Sequence, residues 1–134
     1  MLKDSGIDFD RLKRKGISPF TFAEKVMQSG LVLNDRVHWI CFHGNYDFAY
    51  YLKIMMNDYL PSTREQFFEY IRLFFPNVYD LKTIVPMLHP MLDGLGLNRI
   101  ADSLGISRVG ITHQAGSDSF VTAKIFFNLK DKQP

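Results

Sequence analysis

Apolar residues recur along the chain at two periods, and the changes from one period to the other mark out its helices and strands. Phe22, Val26 and Met27 form a stripe at helical spacing, introduced by Ser18-Pro19 and followed by Gly30. Proline suits the first turn of a helix and glycine suits the position just past its end, so this segment predicts a helix. Val37 to Phe42 is rich in β-branched and aromatic residues and lies between Asn34-Asp35 and Gly44, which predicts a buried strand. A second helix is expected from about Tyr46, with Phe48, Leu52, Met55 and Met56 on one face, until Asn57-Asp58. Pro61-Ser62-Thr63-Arg64-Glu65 reads as a cap leading into a third helix through Phe67, Phe68, Ile71, Leu73 and Phe74.

Pro76-Asn77 ends that pattern, and Val78 to Val85 is the second strand candidate. Pro86 to Pro90 is expected to be an irregular connection. Gly94-Leu95-Gly96 then opens onto a helix through Leu97, Ile100, Ala101 and Leu104, with Gly105 as its cap. The last helix should begin near Gly116-Ser117-Asp118 and run through Phe120, Val121, Ile125, Phe126 and Leu129. Strands separated by helical patterns indicate an α/β fold with a small sheet. Residues 1–17 are a polar lead-in ending in Arg11-Leu12-Lys13-Arg14-Lys15-Gly16, read as a solvated linker or helix face in preference to a nucleic-acid patch, and residues 18–129 carry the helices and strands.

Composition narrows this picture. With 134 residues, 46% of them hydrophobic and including 12 Phe and 6 Tyr, the chain can bury an aromatic-rich core, which excludes a disordered segment. A net charge of +2 from 16 basic and 14 acidic residues does not identify a nucleic-acid binder, because affinity for a polyanion depends on local clusters. Cys41 has no partner for an intrachain disulfide, which favours a reducing compartment. The start of the chain lacks the apolar segment of a signal peptide, and no apolar run approaches the roughly 20 residues of a membrane span. No Cys/His cluster has zinc spacing, and Gly94-Leu95-Gly96 lacks the third glycine and downstream lysine of a phosphate cradle.

Three side chains can carry chemistry. Asp47 falls where a strand gives way to a helix, the edge at which α/β folds usually place ligands. His113 precedes Asp118 by five positions across a loop-to-helix transition, so a histidine base and a metal-binding carboxylate can be presented together. Each also has a structural reading. The aspartates are ordinary first-turn carboxylates that stabilise a helix dipole by ~0.3–1 kcal/mol, and the histidine is a loop residue satisfied by backbone groups. His43, two residues before Asn45, can contact substrate or orient a neighbour, or it is a packing histidine at a strand end. His38 is expected at a solvent or layer edge and His89 in a loop.

Four segments taken in order carry a resemblance that the single residues do not. They are Phe42-His43-Gly44-Asn45-Tyr46-Asp47-Phe48-Ala49-Tyr50, then Phe67-Phe68-Glu69 to Phe74-Phe75-Pro76, then Val78-Tyr79-Asp80-Leu81-Lys82, and His113-Gln114-Ala115-Gly116-Ser117-Asp118-Ser119. From about Ser5 to Leu129 the chain resembles the CCR-associated-factor family, the DEDDh-type poly(A) deadenylases of the CCR–NOT complex. The resemblance implies an RNase D-like (ribonuclease H-like) α/β fold, with a small mixed sheet flanked by helices, here incomplete. It implies removal of adenylates from the 3′ end of poly(A) RNA as 5′-AMP, with two divalent cations, Mg2+ or Mn2+, about 3.5–4 Å apart. By resemblance Asp47 and Asp118 are metal ligands and His113 is the general base. It further implies a nuclear and cytoplasmic protein whose helix around Met27 docks the NOT scaffold, the alternative being that Val26 and Met27 pack on a neighbouring helix.

The family's first motif, an Asp-x-Glu pair on an early strand, has no counterpart in place. Asp8-Phe9-Asp10 has similar spacing but falls in the polar lead-in and reads as solvated surface. The expectation is therefore a chain lacking that motif and the early strands, with little activity alone. Two other readings stay open: a non-catalytic module that binds the NOT scaffold, and a fragment without an independent role.

Overall fold

A computed structural model of the chain describes residues 7–131. In chain order the elements are α1 (Phe9–Lys15), α2 (Pro19–Ser29), β1 (His38–Cys41), α3 (Asn45–Met56), α4 (Arg64–Phe74), β2 (Asn77–Asp80), α5 (Leu81–Leu88), a 3-10 turn (Pro90–Leu92), α6 (Leu97–Ser103) and α7 (Ala115–Asp131). The strands β1 and β2 pair as a two-stranded sheet. The expected α/β class with a small sheet is what forms. No helix among the described residues is long and apolar enough to cross a membrane.

The chain divides into two compact units, each with its own core. The first comprises Phe9–Trp39 and Gly44–Tyr79, and its core is aromatic. Phe75, 1% exposed, lies at its centre. Its ring meets those of Trp39 (5.3 Å) and Phe48 (4.9 Å) edge-on and stacks on Tyr51 (5.5 Å). Such pairs each add about 0.5–1.5 kcal/mol beyond the area they bury. Helix α2 contributes Ala23 and Val26 from one stripe, and α3 contributes Leu52 and Met55. The helix ends follow local chemistry. Ser18 Oγ accepts from the Thr21 amide (3.1 Å), Thr63 Oγ1 accepts from the Gln66 amide (3.3 Å), and Gly30 closes α2 in the left-handed conformation. The loop into β1 is held by Asn77, whose Nδ2 donates to the Asp35 and Val37 carbonyls (2.7 and 3.3 Å).

The second unit comprises residues 7–8, Ile40–His43 and 80–131, and its core is aliphatic: Leu81 and Val85 of α5, Ile100 and Ala101 of α6, and Val121, Ile125 and Leu129 of α7. Positions 121, 125 and 129 recur every four residues and so share the buried face of α7. Asp80 caps α5: its Oδ1 accepts from the Lys82 amide (2.9 Å) and also from the amide of His43 (2.8 Å).

Three expectations fail locally. The strand predicted for Val78 to Val85 stops at Asp80, and the chain is helical from Leu81 to Leu88, so most of the irregular connection expected over Pro86 to Pro90 is helix instead. A short apolar run does not distinguish the two states by itself; here Leu81 and Val85, one turn apart, are buried together. Pro86 costs α5 one backbone hydrogen bond without ending it. The Val37–Phe42 strand is shorter than expected and only half-buried, with His38 exposed, because a two-stranded sheet covers little of either strand. The polar lead-in contains α1, which buries no residue and carries the exposed Asp10, so Asp8-Phe9-Asp10 belongs to a surface helix and its approach.

Candidate active site

Each unit presents candidate residues at the start of a helix. In the aromatic unit, Asp47 is the third residue of α3, exposed in its first turn. Gly44, the residue before α3, offers no side-chain cap, so a carboxylate at this point also offsets the positive end of the helix. Met27, on α2 in the same unit, is 42% exposed, while its neighbour Val26 is buried in the core. Of the two residues that could have packed inward together, only Val26 does.

In the aliphatic unit, His113 is exposed in the turn before α7, with φ of 64°, and Asp118 is the fourth residue of that helix. His43 has the same backbone character, with φ of 60°. Each histidine therefore stands two residues ahead of a helix in the left-handed conformation, which costs a non-glycine residue about 1–3 kcal/mol. Both stretches turn sharply enough to start a helix whose first turns carry an aspartate.

Asp118 is not free. Arg108 Nη1 lies 2.6 Å from its Oδ1, and the same nitrogen donates to Ser117 Oγ (2.8 Å). Arg108 Nε donates to Asn98 Oδ1 at 3.0 Å, and its Nη2 also meets that oxygen. Ser117 Oγ in turn donates to the Val109 carbonyl (2.8 Å). Gly110, with φ of 89°, passes so close that a Cβ there would come within 3.3 Å of Ser117 Cβ. The guanidinium fork thus joins α6, the loop leading to His113 and the start of α7.

Sequence reading singled out neither Arg108 nor Asn98, because their partners lie 10 residues away with no periodic pattern linking them. Ser117 was visible only as part of a motif. His89 caps the end of α5 and His38 faces the ring of Tyr79 at 5.7 Å, and neither joins a group that could bind a cation. Among the described residues no three His, Cys, Asp or Glu side chains come together in such a group. With one oxygen of Asp118 held by Arg108, the described residues do not fit a two-cation site by themselves.

Residues 23–126 match the CAF1 family ribonuclease. The chain belongs to that family. It is 46% identical to the poly(A) ribonuclease pop2 of Schizosaccharomyces pombe over 132 residues, covering 98% of the chain and 39% of that protein. The solved structure of S. pombe Pop2p in its Mg2+- and Mn2+-bound form superposes with a TM-score of 0.90 at 46% identity, over 98% of the chain and 51% of that one. Yeast CAF1, co-crystallised with the NOT1 MIF4G domain, superposes with a TM-score of 0.87 at 32% identity, over 96% of the chain and 51% of that one. The chain spans about half the length, or less, of the curated relatives it matches. Its fold is that of the corresponding part of the CAF1 ribonuclease domain.

Proposed function

We propose that this chain provides half of the catalytic constellation of a poly(A)-specific 3′-to-5′ exoribonuclease that releases 5′-AMP. In the complete enzyme Asp47 and Asp118 would supply two of the four carboxylates that a pair of Mg2+ or Mn2+ ions requires, and His113 would serve as the general base toward water. The observation that carries the reading is the agreement with about half of Pop2p, a structure in its Mg2+- and Mn2+-bound form, together with the name poly(A) ribonuclease borne by the S. pombe relative. The described residues hold no group of three cation-binding side chains, and on this reading the chain is inactive alone. Purified chain incubated with oligo(A) and Mg2+ should leave the substrate intact. Shortening that disappears in Asp118→Ala would overturn the claim of inactivity while supporting the ligand.

A second reading is favoured by one surface feature. The exposed Met27 on α2 is the anchor for a NOT scaffold, as suits a fold whose yeast counterpart crystallised with the NOT1 MIF4G domain. In this reading the chain occupies the scaffold without catalysing anything, in the nucleus and cytoplasm where intact nuclease works. Met27→Arg should weaken binding to the MIF4G domain by about tenfold or more, equivalent to about 1.4 kcal/mol. Asp47→Ala should leave that binding unchanged. Equal binding by the Met27 variant and the unaltered chain would remove this reading.

A further inference from the structure

Several basic residues of this chain are engaged within it. Arg108 is paired with Asp118, while Lys82 Nζ donates to the Leu95 carbonyl (2.8 Å) and Lys124 Nζ to the Ser107 carbonyl (3.3 Å). Helix α1 differs: four of its seven residues are basic, Arg11, Lys13, Arg14 and Lys15. Among the described residues, the side chains of Lys13, Arg14 and Lys15 make no hydrogen bond or ion pair. We propose that α1 is a contact surface for the phosphate backbone of single-stranded RNA, distinct from the catalytic residues and indifferent to base sequence. That the polyanion is RNA rests on the ribonuclease reading above; the cation cluster stands on the geometry of α1.

Spacing and exposure carry it. Positions 11, 14 and 15 are three and four residues apart, so Arg11, Arg14 and Lys15 share one face of the helix. Every residue from Ile7 to Phe20 is exposed and α1 buries nothing, so that face is open to solvent. Within residues 8–15 the four cations outnumber the two carboxylates, Asp8 and Asp10. The helix dipole favours cations in the last turn, where Lys13, Arg14 and Lys15 lie, but repulsion of Arg11 from Arg14 and Lys15 opposes it by a similar amount. A row of phosphates relieves that repulsion, and each phosphate neutralised releases a condensed counterion. The apolar side of α1 is Phe9 and Leu12, 46% and 57% exposed, on a helix about 10 Å long. Binding to a lipid surface scales with the apolar area buried, and two side chains supply little of it, so charge selects the partner.

Binding rather than cleavage tests this. Fluorescein-labelled oligo(A) and oligo(U) of equal length are titrated with the 134-residue chain and followed by fluorescence anisotropy, in EDTA, at salt from about 50 to 200 mM. The Lys13→Gln, Arg14→Gln, Lys15→Gln variant removes three charges with a residue of similar helix propensity, and far-UV circular dichroism confirms its fold. Its control, Lys25→Gln, Arg72→Gln, Lys130→Gln, removes the same charge from exposed positions outside α1, so the net charge falls from +2 to −1 in both. Each phosphate neutralised on a single strand adds about −0.7 to the slope of log affinity against log salt, so the α1 variant should lose about 2 from the magnitude of that slope. Equivalently, between those salt concentrations the unaltered chain should lose about twentyfold more affinity than the α1 variant, for both oligonucleotides.

A slope unchanged in the α1 variant overturns the proposal, and so does a slope reduced equally by the control, which would make the effect one of net charge. A loss confined to oligo(A) also overturns it, since contacts to phosphates carry no sequence information. Absence of binding to either oligonucleotide by the unaltered chain overturns it as well, and binding to phosphatidylcholine–phosphatidylserine vesicles in that case assigns the surface to lipid. Each of these results leaves the nuclease reading in place, because EDTA keeps cleavage out of the measurement. Failure of that reading appears separately, as cleavage indifferent to Asp118→Ala.

Discussion

The two units solve the same problem, presenting an aspartate in the opening turns of a helix, in different ways. In the aromatic unit the core is a cluster of rings around Phe75, and Asp47 stands on the surface of α3 with no hydrogen bond or ion pair of its own among the described residues. In the aliphatic unit the core is built of Leu, Ile and Val, and Asp118 is embedded in a polar clasp that reaches α6. The difference separates two sources of precision. Asp47 inherits its position from the packing beneath its helix, whereas Asp118 is held directly by side chains around it. Disturbing the core should move the first residue, and disturbing polar partners should move the second.

The largest expected effects break the cores. Phe75→Ala removes a buried ring from the centre of its cluster and should cost about 3–5 kcal/mol, with Ile125→Ala costing about 2–5 kcal/mol in the other unit. Urea denaturation gives the totals, and amide exchange gives their location. Phe75→Ala should deprotect Leu52 and Met55 more than Val121 and Ile125, and equal loss in both places would erase the contrast between the units. Asp80→Ala removes the acceptor shared by the Lys82 and His43 amides and should cost about 1–2 kcal/mol by the same assay.

His113→Gly relieves a left-handed residue and should raise stability by about 1 kcal/mol, while removing the proposed base. No gain in midpoint would show that the turn is not strained. The smallest effect is one of pH. Burial raises the Tyr51 phenol above its ordinary 10.0, favouring the neutral form in the folded chain. Its contribution is fully present below pH 10 and is lost as pH rises through the higher folded value. Tyr51→Phe should reduce the fall in stability above that pH, and an unchanged profile would assign the fall to other groups.

Much of this was legible in the residues. Ser18-Pro19 and Gly30 bracket α2, Thr63 starts α4, and Gly96 and Gly105 flank α6, because caps and turns are local chemistry. The strand predicted through Val85 failed for a non-local reason: which face of Leu81-Lys82-Thr83-Ile84-Val85 is buried depends on α6 and α7, and no short window contains that information. Candidate residues were legible as types at spacings, and the resemblance gave them roles. The clasp was not legible, since Asn98, Arg108 and Asp118 share no period and meet only once the loop has folded back on α7.

The central claim is that Asp47 and Asp118 belong to one catalytic constellation. It is tested most directly by joining this chain to an Asp-x-Glu-bearing segment from a CAF1 relative and measuring Mg2+-dependent shortening of oligo(A). The account predicts that the joined protein shortens the substrate and that Asp47→Ala and Asp118→Ala each reduce shortening to background while the fold persists by circular dichroism. Full shortening by either variant would contradict it.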